Sequence, residues 1–223
     1  MFFTKNTFLS ALILLCFIAW SMAMTLLSSF AMTKTVLKGD TSSFVLELPP
    51  YRKPQLLKII WQTIKEKVLF VLLRAVVVAA PAGLVIWVLA NIKVGNSMLL
   101  NVIADFLNPL GRFMGLDGVI LLAFILGFPA NEIVIPIILM AYLSTGELGD
   151  YSSLESLRTI LVDNGWTATT AICTCVFSMF HFPCSTTLLT IWKETKSVKW
   201  TAMSVAVPLI IGTVLCVLIH MIF

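Results

Sequence analysis

Long apolar runs, separated by short polar stretches, set the pattern of this chain. A helix needs about 20 apolar residues to cross the hydrocarbon core of a bilayer, and the run 8–32 meets that length without a single charge. It is too long for the apolar part of a signal peptide, which is about 7–15 residues, so it reads as a membrane span. Two more runs of crossing length cover 68–90 and 200–223. The first carries Arg74 near its start, placed to snorkel to the headgroups or to pair with another helix, and Pro81 in its middle; the second is apolar apart from Thr, Ser and His220. Two other runs are broken at their midpoints. Residues 118–143 are interrupted by Gly127-Phe128-Pro129-Ala130-Asn131-Glu132, and 166–192 by His181-Phe182-Pro183-Cys184-Ser185-Thr186-Thr187. In 98–113, Asn101, Asp105, Asn108 and Arg112 break up the apolar residues, which predicts a segment lying along the outer surface.

The longest polar stretch, 33–67, holds Lys34, Lys38, Arg52, Lys53, Lys58, Lys65 and Lys67. Basic residues beside membrane spans mark the cytoplasmic side. Pro49, Pro50 and Pro54 exclude helix at its centre. After them, Leu56, Leu57, Ile60, Trp61 and Ile64 share one helical face, which predicts an amphipathic helix at the interface.

The remaining connections sort by charge. Lys and Arg number seven in 33–67, two in 91–118, one in 144–166 and three in 193–200. If 118–143 enters and leaves the membrane on one side, ten fall in the cytoplasm and three outside, which obeys the positive-inside rule better than a full crossing does. The expected fold is therefore an all-α integral membrane protein. It has four transmembrane helices, one re-entrant hairpin, interfacial amphipathic helices and both termini outside.

Composition agrees: 59% of the 223 residues are apolar, 12% are charged and the mean hydropathy is +1.01. Soluble domains carry about 25% charge. The net charge of +4 reads as an orientation signal and not as affinity for nucleic acid. The five cysteines, Cys16, Cys173, Cys175, Cys184 and Cys216, are odd in number and lie in apolar segments, against a disulfide framework. No phosphate loop, zinc-protease helix or nucleophile elbow is present, so the chain is not read as an enzyme and no catalytic residue is assigned.

The two breaks are the candidate site. Irregular backbone at membrane depth is tolerated where it is buried in protein or lines a wet cavity. Interruptions at corresponding places in two elements point to a transport pathway. Glu132 is the one acidic residue in the apolar part of a segment, and Asn131 precedes it. Cys184 follows Pro183, with Ser185, Thr186 and Thr187 able to supply oxygens or cap freed backbone. Cys184, Glu132 and His181 together suit a borderline divalent metal such as ferrous iron; His181 reads equally as a ligand or as a cap. Cys16, Cys173, Cys175 and Cys216 read as packing residues, with Cys173 and Cys175 facing different ways on one helix. His220 reads as interfacial.

The run Glu47-Leu48-Pro49-Pro50-Tyr51-Arg52-Lys53-Pro54 resembles the E-L-P-P-Y-R-x-P segment of the ferrous iron transport protein B family. Agreement continues through Asn108-Pro109-Leu110-Gly111, Gly127-Phe128-x-Ala130-x-Glu132, Pro183-Cys184-x-x-Thr187, Glu194 and Trp200. The resemblance implies a membrane component of a ferrous iron uptake transporter in the cell (inner) membrane, with Glu132, Cys184 and Thr187 at family motif positions. It divides the chain into a first transmembrane helix (1–33), a cytoplasmic basic segment (34–67) and a Gate-type transmembrane domain (68–223). Asn131 stands where the family commonly has Lys. The family's GTPase domain and first Gate region have no counterpart in these residues. The resemblance thus implies a membrane partner carrying them, a homo-oligomer, or both; Fe2+ as the transported ion; no permanent cofactor; and GTP through the partner alone. Two other readings stay open: Gate-type transport of another solute or ion, and a non-transporting assembly or regulatory protein.

Overall fold

The computed structural model describes residues 7–35, 61, 65, 68–95, 97–144 and 154–223. The E-L-P-P-Y-R run and the amphipathic stretch after Pro54 lie outside the described residues apart from Trp61 and Lys65, as does the Arg74 side chain.

Among the described residues the amino-terminal unit is formed chiefly by the helix α1 (Thr7–Thr35). At 1.5 Å per residue it is about 43 Å long, enough to cross a bilayer. None of the window that qualifies it as a span is buried, as expected of a helix apolar all round and solvated by lipid. Its hydroxyls turn inward: Thr25 Oγ1 donates to the Ser21 carbonyl at 2.8 Å and Ser28 Oγ to the Thr25 carbonyl at 3.0 Å. At its end Lys34 Nζ lies 4.5 Å from the centre of the Phe30 ring. Cys16, expected to pack, is exposed on this helix.

The second unit begins with α2 (Leu69–Asn91), which contains Pro81 and buries Ile86 and Ala90. At 23 residues it is about 34 Å long, enough to cross, and Arg74 and Asn91 are its only polar residues. A two-residue antiparallel ribbon, β1 (Lys93–Val94) with β2 (Ser97–Met98), turns at Gly95, whose φ is +66°. It delivers the chain into α3 (Leu99–Phe113), which buries Leu100, Ala104 and Gly111 and exposes Phe106 and Phe113. The ribbon was not expected, because two residues a strand are too few to show a period of two.

At Met114–Asp117 the chain bends, so that α3 and α4 (Gly118–Leu126) meet at 108°. Glycines make the bend possible. A Cβ at Gly111 would lie 2.6 Å from the Asp117 carbonyl carbon, and one at Gly118 would strike the Ala104 carbonyl oxygen. Beyond a 3-10 turn at Asn131–Ile133 comes α5 (Val134–Leu143).

These helices of nine and ten residues are about 14 and 15 Å long, half the thickness of the hydrocarbon core. They fold back on each other. Asp117 Oδ1 caps α4 by accepting from Ile120 N at 2.6 Å, and Asp117 Oδ2 accepts from Tyr142 Oη near the end of α5. Trp166 Nε1 donates to the same Tyr142 oxygen at 2.9 Å. A straight crossing would set residues 25 apart about 37 Å from one another. A helical hairpin is therefore present where the re-entrant one was expected, with Ile120, Phe124, Ile137, Ile138 and Leu139 at the centre of the core.

The connection after it holds a surface helix, α6 (Leu154–Asp163), anchored by buried Leu161. Thr167 caps α7 (Ala168–Phe180) by accepting from Thr170 N at 3.2 Å. α8 (Ser185–Thr195) continues it across the second break, so that Ala168–Thr195 is one interrupted span of 28 residues. The chain returns along both through α9 (Val198–Ile222). Contact with α7 is close: a Cβ at Gly212 would lie 3.0 Å from the Phe180 Cβ. Cys173 and Cys216 are fully buried and donate to each other's carbonyls at 3.8 and 3.4 Å, in keeping with a packing role.

Among the described residues, then, three helices are long and apolar enough to cross, Phe8–Lys34, Ala168–Thr195 and Val198–Ile222. The expected four full spans are in keeping with these three and α2, whose 23 residues are also long enough to cross.

Candidate functional site

The two breaks meet. Ser185 N donates to the Phe128 carbonyl at 3.0 Å, tying the first residue of α8 to the hairpin tip. The phenylalanines of the two Phe-Pro pairs pack together, the rings of Phe128 and Phe182 lying 5.6 Å apart. Phe182 also packs on His181 at 5.4 Å, and His181 on Phe124 of α4 at 5.2 Å. Such tilted contacts add about 0.5–1.5 kcal/mol each for aromatic pairs beyond the area they bury. An aromatic wedge therefore packs where the prolines left the backbone irregular.

The tip itself is tight. Gly127 caps α4, its N–H donating to the Ala123 carbonyl at 2.7 Å, and a Cβ there would lie 2.5 Å from Val134 Cγ2. Only a hydrogen fits where the chain doubles back onto α5.

Cys184 occupies the N-cap position of α8 in extended backbone, half-buried. Its sulfur lies 3.2 Å from Thr186 Oγ1 and 3.1 Å from Thr187 Oγ1. The sequence-predicted Cys184, Thr186 and Thr187 are thus brought together as one sulfur and two hydroxyl oxygens. Beside them Ser185 is buried and its Oγ has no hydrogen-bond partner.

His181 is buried at the end of α7. Its Nδ1 lies 2.8 Å from the Ser178 carbonyl, which can only accept, so Nδ1 carries a proton. Its Nε2 is buried without a partner. An unpaired buried polar atom costs about 1–3 kcal/mol, and here two lie four residues apart at one break.

Glu132 and Asn131 are exposed, on the 3-10 turn leading into α5. Among the described residues no three His, Cys, Asp or Glu side chains come together as a metal-binding group. The set Cys184, Glu132 and His181 is accordingly not assembled in this structure. Glu132 rides on the exposed turn, while the His181 ring is fixed by the aromatic wedge and the Ser178 carbonyl. Cys175 is exposed, away from the buried face of α7 that carries Cys173.

Sequence reasoning missed Tyr142 and Trp166, which close the base of the hairpin through Asp117. Asp before an apolar run is an N-cap signal and could have marked Asp117; nothing local marks the other two. It also gave Phe128 and Phe182 no role beyond a repeated dipeptide.

Comparisons with known proteins agree in order along the chain. A family described as Ferrous iron transport protein B C terminus matches residues 14–65, and the Gate family, described as Nucleoside recognition, matches residues 72–198. A curated relative, the Fe(2+) transporter FeoB of Staphylococcus aureus strain COL, is 30% identical over 225 residues, covering 96% of this chain and 31% of the relative. The FeoB of a Synechocystis species is 31% identical over 173 residues, covering 75% of this chain and 26% of its own. That of Methanocaldococcus jannaschii is 26% identical over 224 residues, covering 94% and 32%. The chain spans about a third of the length of the curated relatives it matches. No solved structure matches it significantly.

Proposed function

Since the chain belongs to the Gate family and corresponds to the carboxy-terminal membrane part of ferrous iron transport protein B, we propose that it forms part of a pathway for ferrous iron uptake. The observation that carries this reading is the bond between Ser185 N and the Phe128 carbonyl, which joins the two interruptions at one point. Ferrous iron is the transported ion, and no permanent cofactor is assigned.

An ion leaving water must exchange hydration for protein donors. Cys184 offers a borderline-soft sulfur beside two threonine hydroxyls, a donor set suited to ferrous iron over magnesium or calcium. The unpartnered atoms of Ser185 and His181 lie on either side of Cys184 in the chain, and movement of the aromatic wedge would open them to the ion. Glu132 and Asn131 on the hairpin tip give the ion a carboxylate and an amide on its way. Convergence of Glu132 and His181 on Cys184 then belongs to a second, ion-loaded arrangement of the hairpin.

The protein sits in the cell (inner) membrane and crosses it more than once. The basic segment 34–67 faces the cytoplasm, as the positive-inside rule requires. Without a nucleotide-binding loop of its own, the chain draws on GTP through a domain or membrane partner bearing the GTPase and the first Gate region.

Uptake of radioactive ferrous iron by cells that lack their own transporter tests this reading, with the chain expressed alongside its GTPase-bearing counterpart. Cys184→Ser and Glu132→Gln should each lower uptake by about tenfold or more, the usual cost of disturbing metal ligation, while membrane levels hold. Omitting the counterpart should abolish uptake. Unchanged uptake in both variants would overturn the site, and undiminished uptake without the counterpart would overturn the link to GTP.

A further inference from the structure

At the end of the second unit away from the breaks, α3, α7 and α9 enclose an open cavity of about 470 Å³. Thirteen residues of α7 separate the two places, about 20 Å along the helix axis. Arg112 reaches the cavity from the last turn of α3, His220 from the last turns of α9, and Thr167, Thr169 and Thr170 from the start of α7. The loop between α3 and α4 comes within contact of the histidine: at Gly115, where φ is +70°, a Cβ would lie 3.0 Å from the His220 ring.

Among the side chains that line it are a guanidinium, an imidazole and three threonines, and none is acidic. The Thr167 and Thr170 hydroxyls lie 3.1 Å apart, and Thr167 Oγ1 also caps α7. Asp117, the carboxylate nearest in the chain, is already engaged by Ile120 N and Tyr142 Oη. Arginine is the side chain best shaped to hold phosphate oxygens in pairs. The remaining walls are apolar. Leu116 and Phe223 flank the polar donors, and α9 ends here after a run long enough to cross the bilayer. A free anion gains nothing from such walls, whereas a phospholipid has a phosphate for the donors and chains for the apolar flank.

We propose that this cavity binds the phosphate of an anionic phospholipid headgroup. Arg112 is the main anchor, the threonine hydroxyls orient the phosphate oxygens, and His220 adds a ring N–H. The site is independent of the transport reading, since none of these residues belongs to the breaks.

The test is thermal unfolding of the full chain in mild detergent, titrated separately with short-chain phosphatidylglycerol, short-chain phosphatidylcholine and inorganic phosphate. Phosphatidylglycerol should stabilise the wild type at concentrations about fivefold lower than phosphatidylcholine, the effect of one basic side chain on an anionic headgroup. That preference should vanish in the Arg112→Gln, His220→Gln double variant. Its unfolding temperature without lipid and its iron uptake should match wild type. Native mass spectrometry of the wild type, which needs no variant, should find phosphatidylglycerol retained over phosphatidylcholine. Equal stabilisation by both lipids, or a preference that survives the double variant, would overturn the site. Stabilisation by inorganic phosphate as strong as that by the lipid would overturn the lipid assignment and leave a free-anion site.

Discussion

At Gly118 a hydrogen stands where a methyl group would strike the Ala104 carbonyl, a backbone atom that cannot swing aside. The bend between α3 and α4 therefore tolerates no side chain there. Gly118→Ala should destabilise the folded protein by about 1–3 kcal/mol, the usual cost of overpacking, read as a lower unfolding temperature in detergent. Gly83, with nothing within 4 Å, is the control: Gly83→Ala should unfold no earlier than wild type. Equal effects at both positions would contradict the close approach. The grouping of Cys184, Thr186 and Thr187 was legible in the sequence, because a proline break presents the residues that follow it at one helix end. Convergence of Glu132 and His181 on that group was expected too, and it is absent here. Their separation depends on how the hairpin tip meets α7, and neither local pattern encodes that. Cys16, expected to pack, is exposed among the described residues, since burial depends on neighbours and not on the local pattern.

The hairpin formed by α4 and α5 was visible as a run of crossing length with a Gly-Phe-Pro break, and charge counting chose re-entry over crossing. What closes it, the contact of Asp117 and Trp166 with the Tyr142 hydroxyl, was not visible, because it joins residues with no common periodicity. The geometry has a direct consequence for labelling. Arg112 lies just before the hairpin and Ser144 just after it, and Asn101 Nδ2 lies 3.5 Å from Ser144 Oγ. Cysteines introduced singly at 112 and 144 should both react with a membrane-impermeant reagent added to one side, the outside in the orientation proposed. Labelling from opposite sides would mean that 118–143 crosses the membrane.

For the molecule as a whole, apolar composition and the order of spans were enough to place it in the membrane. The sharing of work between this chain and the rest of a transporter was legible only through the motifs and the relatives, about a third of whose length it spans. Its central claim on function is that the meeting of the two breaks is a wet path for ferrous iron and not a packed junction. The thiols already present test this. Cys184 is half-buried at the break, whereas Cys173 and Cys216 are fully enclosed between α7 and α9. The most direct measurement is labelling of the native protein in membranes with a small water-soluble thiol reagent, with and without ferrous iron under reducing conditions, mapped by mass spectrometry. The account predicts that Cys184 reacts, that ferrous iron slows it, and that Cys173 and Cys216 stay unmodified. A Cys184 that does not react, or reacts at the same rate with ferrous iron present, would contradict it.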